Sequence, residues 1–485
     1  MEPQPVSPKL EDNKRLLEKQ AGLGESFDLV IREMEIAGRP VFFFYVNGLI
    51  KEEAMIEVLK RLTFLERGEL SPKAVETLLS RFIPHVQVDE ERDMKAIVTA
   101  VLAGGSAMFV DGERVALVID AKSFPNRSIE EPDLERVVRG SRDGFNEMLL
   151  TNVSLVRRRI RDPGLRLLLR RVGRRSATDV CVAYIADIAD PDLVQSILRK
   201  LENTQADGLA MADKQLEELI LGKSWNPFPQ VRYSERPDVV ATHLLEGHVV
   251  LFVDTSPSVM ILPTTLFHLI QHAEEYRQTP PIGSYIRWVR YIGILSSVFL
   301  LPLWYLMVEN PGLKPPGFDF IGPNKEADLP LLLQFFLAEI GIDLMRMAAV
   351  HTPTPLATAM GLIAAVLVGE IAVSVGLFVY EVILYIAVAA LGMFATPNYE
   401  LSMANRLVRL ILLAAAALFK VPGLVTATTL ILLYLILHRS FNSPYLWPFI
   451  PFNAKAAGVM LIRRPYTYMK RRPSLNKTQD STRRR

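Results

Sequence analysis

The run from Leu329 to Val350, LPLLLQFFLAEIGIDLMRMAAV, is long and apolar enough to span a bilayer, yet it carries Glu339, Asp343 and Arg346. At 100° per residue the four-then-three spacing puts the three ionisable groups within roughly 60° of one another on a helix. One face is polar and the rest suits lipid. A lone charge at the bilayer centre costs several kcal/mol or more, so the stripe must face protein, its own members or water, which calls for a bundle or a pore. Two readings stay open. Either Arg346 neutralises Asp343 within one turn and the stripe holds helices together, or the stripe borders an ion or proton path.

The 485 residues, net charge +2, exceed one ordinary domain and divide sharply in character. Up to about Arg290 the chain is charged and soluble in type, whereas Tyr291 to about His438 is dominated by apolar runs. The N-terminus lacks a basic-then-apolar signal, so the head is expected to stay in the cytoplasm. The single cysteine, Cys181, excludes an intramolecular disulfide, and its strand-like setting DVCVAYIAD reads as a buried small residue. No nucleophile–base pair and no metal-ligand cluster emerges. No catalytic, cofactor-binding or metal residue is therefore assigned, and an enzyme is not expected.

In the head, VFFFYVNGLI followed by EEAMIEVLKRL reads as strand, turn, helix. The segment VTAVLAGGSAMFVDGERVALVID reads as a helix end, a Gly-Gly-Ser break and two strands joined at Asp111-Gly112. Gly104-Gly105-Ser106 is a turn and not a phosphate loop, since no Gly-Lys-Ser/Thr follows. The same order recurs in DVCVAYIADIADPDLVQSILRKL and VVATHLLEGHVVLFVDTSPSVMILP, where Phe252-Val253-Asp254 matches Phe109-Val110-Asp111. Two similarly built α/β lobes follow. Between them, Arg157 to Arg175 holds nine arginines against one acid, Asp162. Arg157, Arg158, Arg159, Arg170 and Arg171 are candidates for a basic contact surface toward phosphate or an acidic subunit face. Nucleic acid is not expected, because no recognition fold accompanies the patch. His243, His248, His268 and His272 lack a ligand pattern.

The apolar half starts with YIGILSSVFLLPLWYLMVE behind Arg287 and Arg290, as the positive-inside rule favours. Between Glu309 and Asp328 there are four acids and two lysines, which suits the outer face. The charged helix then returns inward to HTPTP. PLATAMGLIAAVLVG, about 21 Å as a helix, is short for the bilayer and reads as re-entrant or broken. EIAVSVGLFVYEVILYIAVAALGMFA places Glu370, Ser374 and Glu381 on one stripe if its helix is unbroken. Leu407 to Leu437 is interrupted at Lys420-Val421-Pro422-Gly423 and is either one kinked span or a tight hairpin. Downstream of Asn453 ten basic residues face one acid, which puts the tail in the cytoplasm beside anionic lipid. About four spans result. That count leaves Arg406 and Arg409 outside, against the rule, and six segments would move them in.

From about Val138 to Pro465 the chain resembles the GerA/SpoVAF family of spore germination membrane proteins, the A-subunit type of germinant receptors. The resemblance rests on GSRDGFNE with TNVSLVRRRI, VGRRSATDV, NPFPQVRYSERPD with LLEGHVVLFVD, AEIGIDLMRMA with HTPTP, TPNYEL and RSFNSPYLWPF, in that order. The opening SFDLVIREMEIAGRPVFFFYVNGL is closer to the SpoVAF branch. The resemblance implies an inner spore membrane protein that oligomerises, assembles with other germination subunits and conducts cations. Where relatives often carry Glu-Ala-Gly after the helix arginine, this chain has Met347-Ala348-Ala349, and near Glu370 relatives often carry an amide.

The expected architecture is multi-domain: a soluble α/β head of two lobes joined by a basic helical linker, then an all-α polytopic membrane domain. The divisions are a mobile tail (1–26), first lobe (27–130), linker (131–178), second lobe (179–286), transmembrane domain (287–453) and basic cytoplasmic tail (454–485). The expected function is an oligomeric cation-release channel or its gate in spore germination. A non-conducting scaffold and a small-solute or ion transporter are the alternatives.

Overall fold

Two five-stranded antiparallel sheets build the head in a computed structural model that describes residues 4–70, 74–83, 87–123, 135–222, 225–318, 321–325, 327–351, 370–441 and 443–483. The first lobe contains α1 (Leu10–Ala21), β1 (Leu29–Ile36), β2 (Arg39–Val46), α2 (Glu52–Thr63), β3 (Val88–Glu91), α3 (Met94–Leu102), β4 (Ser106–Val110) and β5 (Ala116–Ile119). The second contains α4 (Leu149–Arg159), β6 (Leu165–Val172), β7 (Thr178–Ile185), α5 (Pro191–Glu202), α6 (Ala212–Leu221), β8 (Arg232–Ser234), α7 (Pro237–Leu245), β9 (Val249–Val253) and β10 (Val259–Leu262). Strand order is β1-β2-β4-β5-β3 in one sheet and β6-β7-β9-β10-β8 in the other. The register repeats as well. Val41 and Phe42 lie opposite Val110 and Phe109, and Val180 and Cys181 lie opposite Val253 and Phe252.

Period-two alternation explains both layers of each lobe. Phe42 and Phe44 pack under α1 and α3, while Val41 and Phe43 pack under α2. In the second lobe Cys181 and Ala183 meet α4 and α7, and Val180 and Val182 meet α5 and α6. Cys181 thus occupies the position of Phe42, buried as its setting foretold.

Two expected divisions change. The segment 1–26 is not a mobile tail where it is described, because Leu10, Leu17 and Ala21 share one face of α1 and are buried on the first sheet. The segment 131–178 is not a linker throughout. Its α4 and β6 are parts of the second lobe, since Leu165 and Leu167 alternate into that core while the arginines project elsewhere.

The helical half comprises α8 (Pro280–Glu309), α9 (Leu331–His351), α10 (Tyr380–Phe394), α11 (Tyr399–Leu437) and α12 (Ala454–Leu461). Among the described residues two helices, α8 and α11, are long and apolar enough to cross a membrane. At Lys420 the backbone of α11 leaves helical geometry, with φ 54° and ψ −137°. A Cβ at Gly423 would run into the Ala415 carbonyl oxygen, so the chain turns back on itself. Both ends reach the head: Lys214 Nζ lies 2.8 Å from Glu400, and Asn226 Nδ2 lies 2.9 Å from the His438 ring. Residues 399–419 and 421–437 therefore form a tight hairpin. Pro422 lacks the N–H that would continue the helix, and Gly423 permits the close approach.

α8, α9 and α10 run between the same two ends. At the end far from the head, Val379 N–H donates to Gln334 Oε1 at 3.0 Å, and Asn324 donates to Glu381 at 2.8 Å. α9 and α10 consequently run in parallel toward the head, and Arg406 and Arg409 sit in the head-ward half of their helix. Residues 352–369, which include PLATAMGLIAAVLVG, lie outside the described residues.

Candidate functional site: a buried charge cluster in the helical bundle

The stripe on α9 meets the outgoing arm of the hairpin. Glu339, 1% exposed, is gripped by two arginines that are also sealed from solvent. Arg406 Nε lies 3.1 Å from one of its carboxylate oxygens, and Arg409 Nη2 lies 2.7 Å from the other. Arg409 also donates from Nη1 to the Ser297 carbonyl on α8 at 2.7 Å, so one side chain ties three helices. Arg406 pairs additionally with Asp343, whose side chain is 38% exposed. Arg346 lies between two rings, 5.8 Å from Phe394 and 5.6 Å from Tyr399.

Of the six residues assigned to an intramembrane stripe, Glu339, Asp343 and Arg346 share this face. Arg346 does not neutralise Asp343; Arg406 does so. Glu370 and Ser374 stand apart and exposed, with Ser374 Oγ bonded to the Ile371 carbonyl at 2.9 Å. Glu381 caps the far-end loop through Asn324. Their single stripe is broken because Gly376, at φ +84°, ends the short helix Ala372–Ser374 before α10 begins. Sequence reasoning missed Arg406 and Arg409 as members of the cluster. The signal was present: two arginines at i and i+3 in an apolar run need acids on another helix.

The bundle core around the cluster is aromatic and aliphatic, with Trp304 edge-on to Phe335 at 5.6 Å. α8 and α10 approach closely at Gly293 and Gly392, where a Cβ on Gly392 would meet the Gly293 carbonyl. At the head-ward end, Arg287 and Arg290 both pair with the buried Glu275. Arg287 also donates to the carbonyls of Val459 and Met460 at 2.8 and 2.9 Å, fastening α12 to α8.

The candidate basic surface loses Arg157, and carboxylates lie beside three of its other members. Arg157 is buried against Asp28, Arg159 reaches Asp143 at 2.7 Å, Arg170 lies 3.9 Å from Glu202, and Arg171 lies 3.1 Å from Asp179. Arg158 is exposed on its own side of α4. Helical and strand periodicities send neighbouring arginines in different directions.

Three of the histidines do converge. His243, His248 and His268 are buried with ring centroids 4.9 to 6.1 Å apart. Burial pushes all three below the usual imidazole range, His248 to about 4. Among the described residues no group of three or more His, Cys, Asp and Glu is placed to hold a metal. The basic tail also docks on the second lobe. Asn476 Nδ2 donates to the Glu246 carbonyl at 2.9 Å and lies 3.0 Å from the His248 ring. Gln479 Nε2 donates to the Ala186 and Ala189 carbonyls at 2.9 and 2.8 Å. A Cβ at Gly247 would strike Thr478, so this turn has to be glycine for the tail to lie down. The Gln479 N–H also donates to the Ile188 carbonyl at 3.0 Å.

Comparison with known proteins bears on all of these elements. Residues 17–475 match the family model of the Bacillus/Clostridium GerA spore germination protein. Stage V sporulation protein AF of Bacillus subtilis (strain 168) is 48% identical over 463 residues, covering 96% of this chain and 94% of that protein. Spore germination protein GerLA of Bacillus cereus is 30% identical over 466 residues, covering 95% and 94%. The N-terminal domain of the A subunit of the Bacillus megaterium spore germinant receptor GerK3 aligns with 54% of this chain and 97% of its own, at 25% identity and TM-score 0.41. The head, the charged helix and the hairpin thus lie within one family match, and the chain belongs to the GerA family of spore germination membrane proteins.

Proposed function

We propose that this protein is a non-enzymatic, multi-pass component of the spore inner membrane that forms or gates a cation-release path during germination. It acts as a homo-oligomer alongside other germination membrane subunits, with head and C-terminal tail in the cytoplasm and no nucleic-acid partner. The bilayer reading is supported by the outward Leu295, Leu391, Leu418 and Leu430, and by Tyr285 and Trp288 exposed near the head-ward end of α8.

The observation that carries the proposal is the grip of Arg406 and Arg409 on Glu339 inside an apolar bundle. Charges sealed among apolar helices are costly unless paired, so the paired arrangement holds α9 against the hairpin and keeps the bundle shut. Sliding α9 would unpair the cluster and draw water to it, opening a polar route. In this reading the cluster is the lock, and selectivity is set by the acids released from it.

A second reading, a non-conducting scaffold, is favoured by the pairing of Glu339 with two arginines of its own chain. Potassium efflux from liposomes carrying the full-length protein separates the two. The channel reading expects efflux that rises when Glu339→Gln or Arg409→Gln weakens the lock. Unchanged background efflux for the wild type and both variants, at equal protein incorporation, would favour the scaffold.

A further inference from the structure

A cavity of about 260 Å³ lies where the second lobe meets the helical bundle. The head supplies Asp213 and Lys214 at the start of α6 and the stretch around β8. The bundle supplies Asn398, Tyr399 and Glu400 at the start of the hairpin. Neither half closes the cavity alone.

Its charges are unbalanced in one direction. The wall carries Glu135, Asp213 and Glu400 against Lys214 and Arg232. Both bases are already engaged by carboxylates. Lys214 Nζ lies 2.6 Å from Glu217 and 2.8 Å from Glu400, and Arg232 Nη2 lies 2.9 Å from Glu135. Glu135 also accepts from Ser234 Oγ at 2.6 Å. An anion entering here would meet carboxylates and only neutralised bases, whereas a cation would balance the excess. Tyr233, Tyr399, Leu269 and Pro397 supply apolar and aromatic wall, which favours a cation with an organic body over a bare ion.

We propose that this cavity binds a small organic cation carrying an ammonium group, and that its occupation acts on the bundle. Its volume, near the small end for ligand sites, fits a small metabolite. Asn398 Oδ1 caps the hairpin's first arm by accepting the Leu401 N–H at 2.8 Å, and the Tyr399 ring faces the Arg346 guanidinium at 5.6 Å. A bound cation therefore touches the cap and the ring that lead directly to Arg346 and Arg406. Lys214–Glu400 is the ion pair a ligand would have to share or loosen.

The test is binding to the full-length protein in detergent, which needs no conductance. Tyramine, tyrosol and 4-hydroxyphenylacetate present one ring with a cationic, neutral or anionic end; cadaverine adds an ammonium compound without a ring. Calorimetry is expected to give saturable binding of tyramine or cadaverine, with tyrosol about tenfold weaker and the acid weaker still. Asp213→Asn keeps the shape and the Lys214 clamp and should weaken the amine at least about threefold. The proposal is overturned if neither amine saturates below about 10 mM, if the acid binds as tightly as the amine, or if Asp213→Asn binds like the wild type.

Discussion

Arg157 of the second lobe ends on Asp28 of the first, with Nε 2.8 Å from Oδ2, Nη2 3.2 Å from Oδ1 and both side chains sealed from water. The same guanidinium donates to the Leu165 carbonyl at 3.3 Å, and Phe27 N–H donates to the Leu167 carbonyl at 3.1 Å beside it. The lobes are therefore joined by a buried charge on a sheet edge. Removing one partner strands the other, so Arg157→Ala should destabilise the full-length protein by about 3–5 kcal/mol. Denaturant unfolding in detergent checks this. The double change Arg157→Met with Asp28→Leu should recover much of the loss, which a role in surface contact would not predict.

The hairpin at Lys420 makes a topological claim. In a Cys181→Ser background, Lys420→Cys should react with a membrane-impermeant maleimide added outside intact cells, and Arg439→Cys should not. One continuous kinked span would bury Lys420 in the bilayer and place Glu400 and Arg439 on opposite faces, so a third site is decisive: Glu400→Cys should be protected like Arg439→Cys. Labelling of Glu400→Cys from outside would sink the hairpin.

The histidine cluster gives the head an acid-sensitive core. His248 has an unfolded value near 6.5 and a folded value of about 4, and burial depresses His243 and His268 in the same direction. Between those limits the unfolded chain binds protons that the folded chain does not, so stability is full above pH 6.5 and falls as pH drops toward 4. For His248 alone the loss is on the order of 3 kcal/mol. Arg232 is the charged side chain that acts on all three rings, and it opposes their protonation. Thermal melts across pH 4 to 7 should show the slope, and His248→Gln should flatten it while preserving a partner for Asn476.

Asn476 binds both the Glu246 carbonyl and the His248 ring from the C-terminal tail. Asn476→Ala should cost about 1–2 kcal/mol by leaving the Glu246 carbonyl without this donor, and should loosen the tail. Limited proteolysis is the direct readout. Faster cleavage near Lys470 and Lys477 is expected, and an unchanged digestion pattern would mean that Arg472 and Gln479 hold the tail without it.

Much of this protein is legible in local pattern. Alternation in VFFFYV and VCVAYI, the Asp111-Gly112 turn and the matched Phe-Val-Asp endings are properties of a few residues each, and they determine two lobes of one strand order. The apolar runs and the Lys420-Val421-Pro422-Gly423 break similarly determine where helices start and stop. Direction in space is a different matter. Whether that break kinks a span or reverses it depends on Gly423 meeting Ala415 and on both helix ends returning to the head. The partner of Glu339 lies 67 and 70 residues away, at Arg406 and Arg409, a pairing that only helix packing could select. Arg157 looked like a surface cation because charge is visible in sequence and burial is not. Its neighbours Arg158 and Arg159, one and two steps along the same helix, point elsewhere, and the tertiary fold alone decided which of the three would be fully buried.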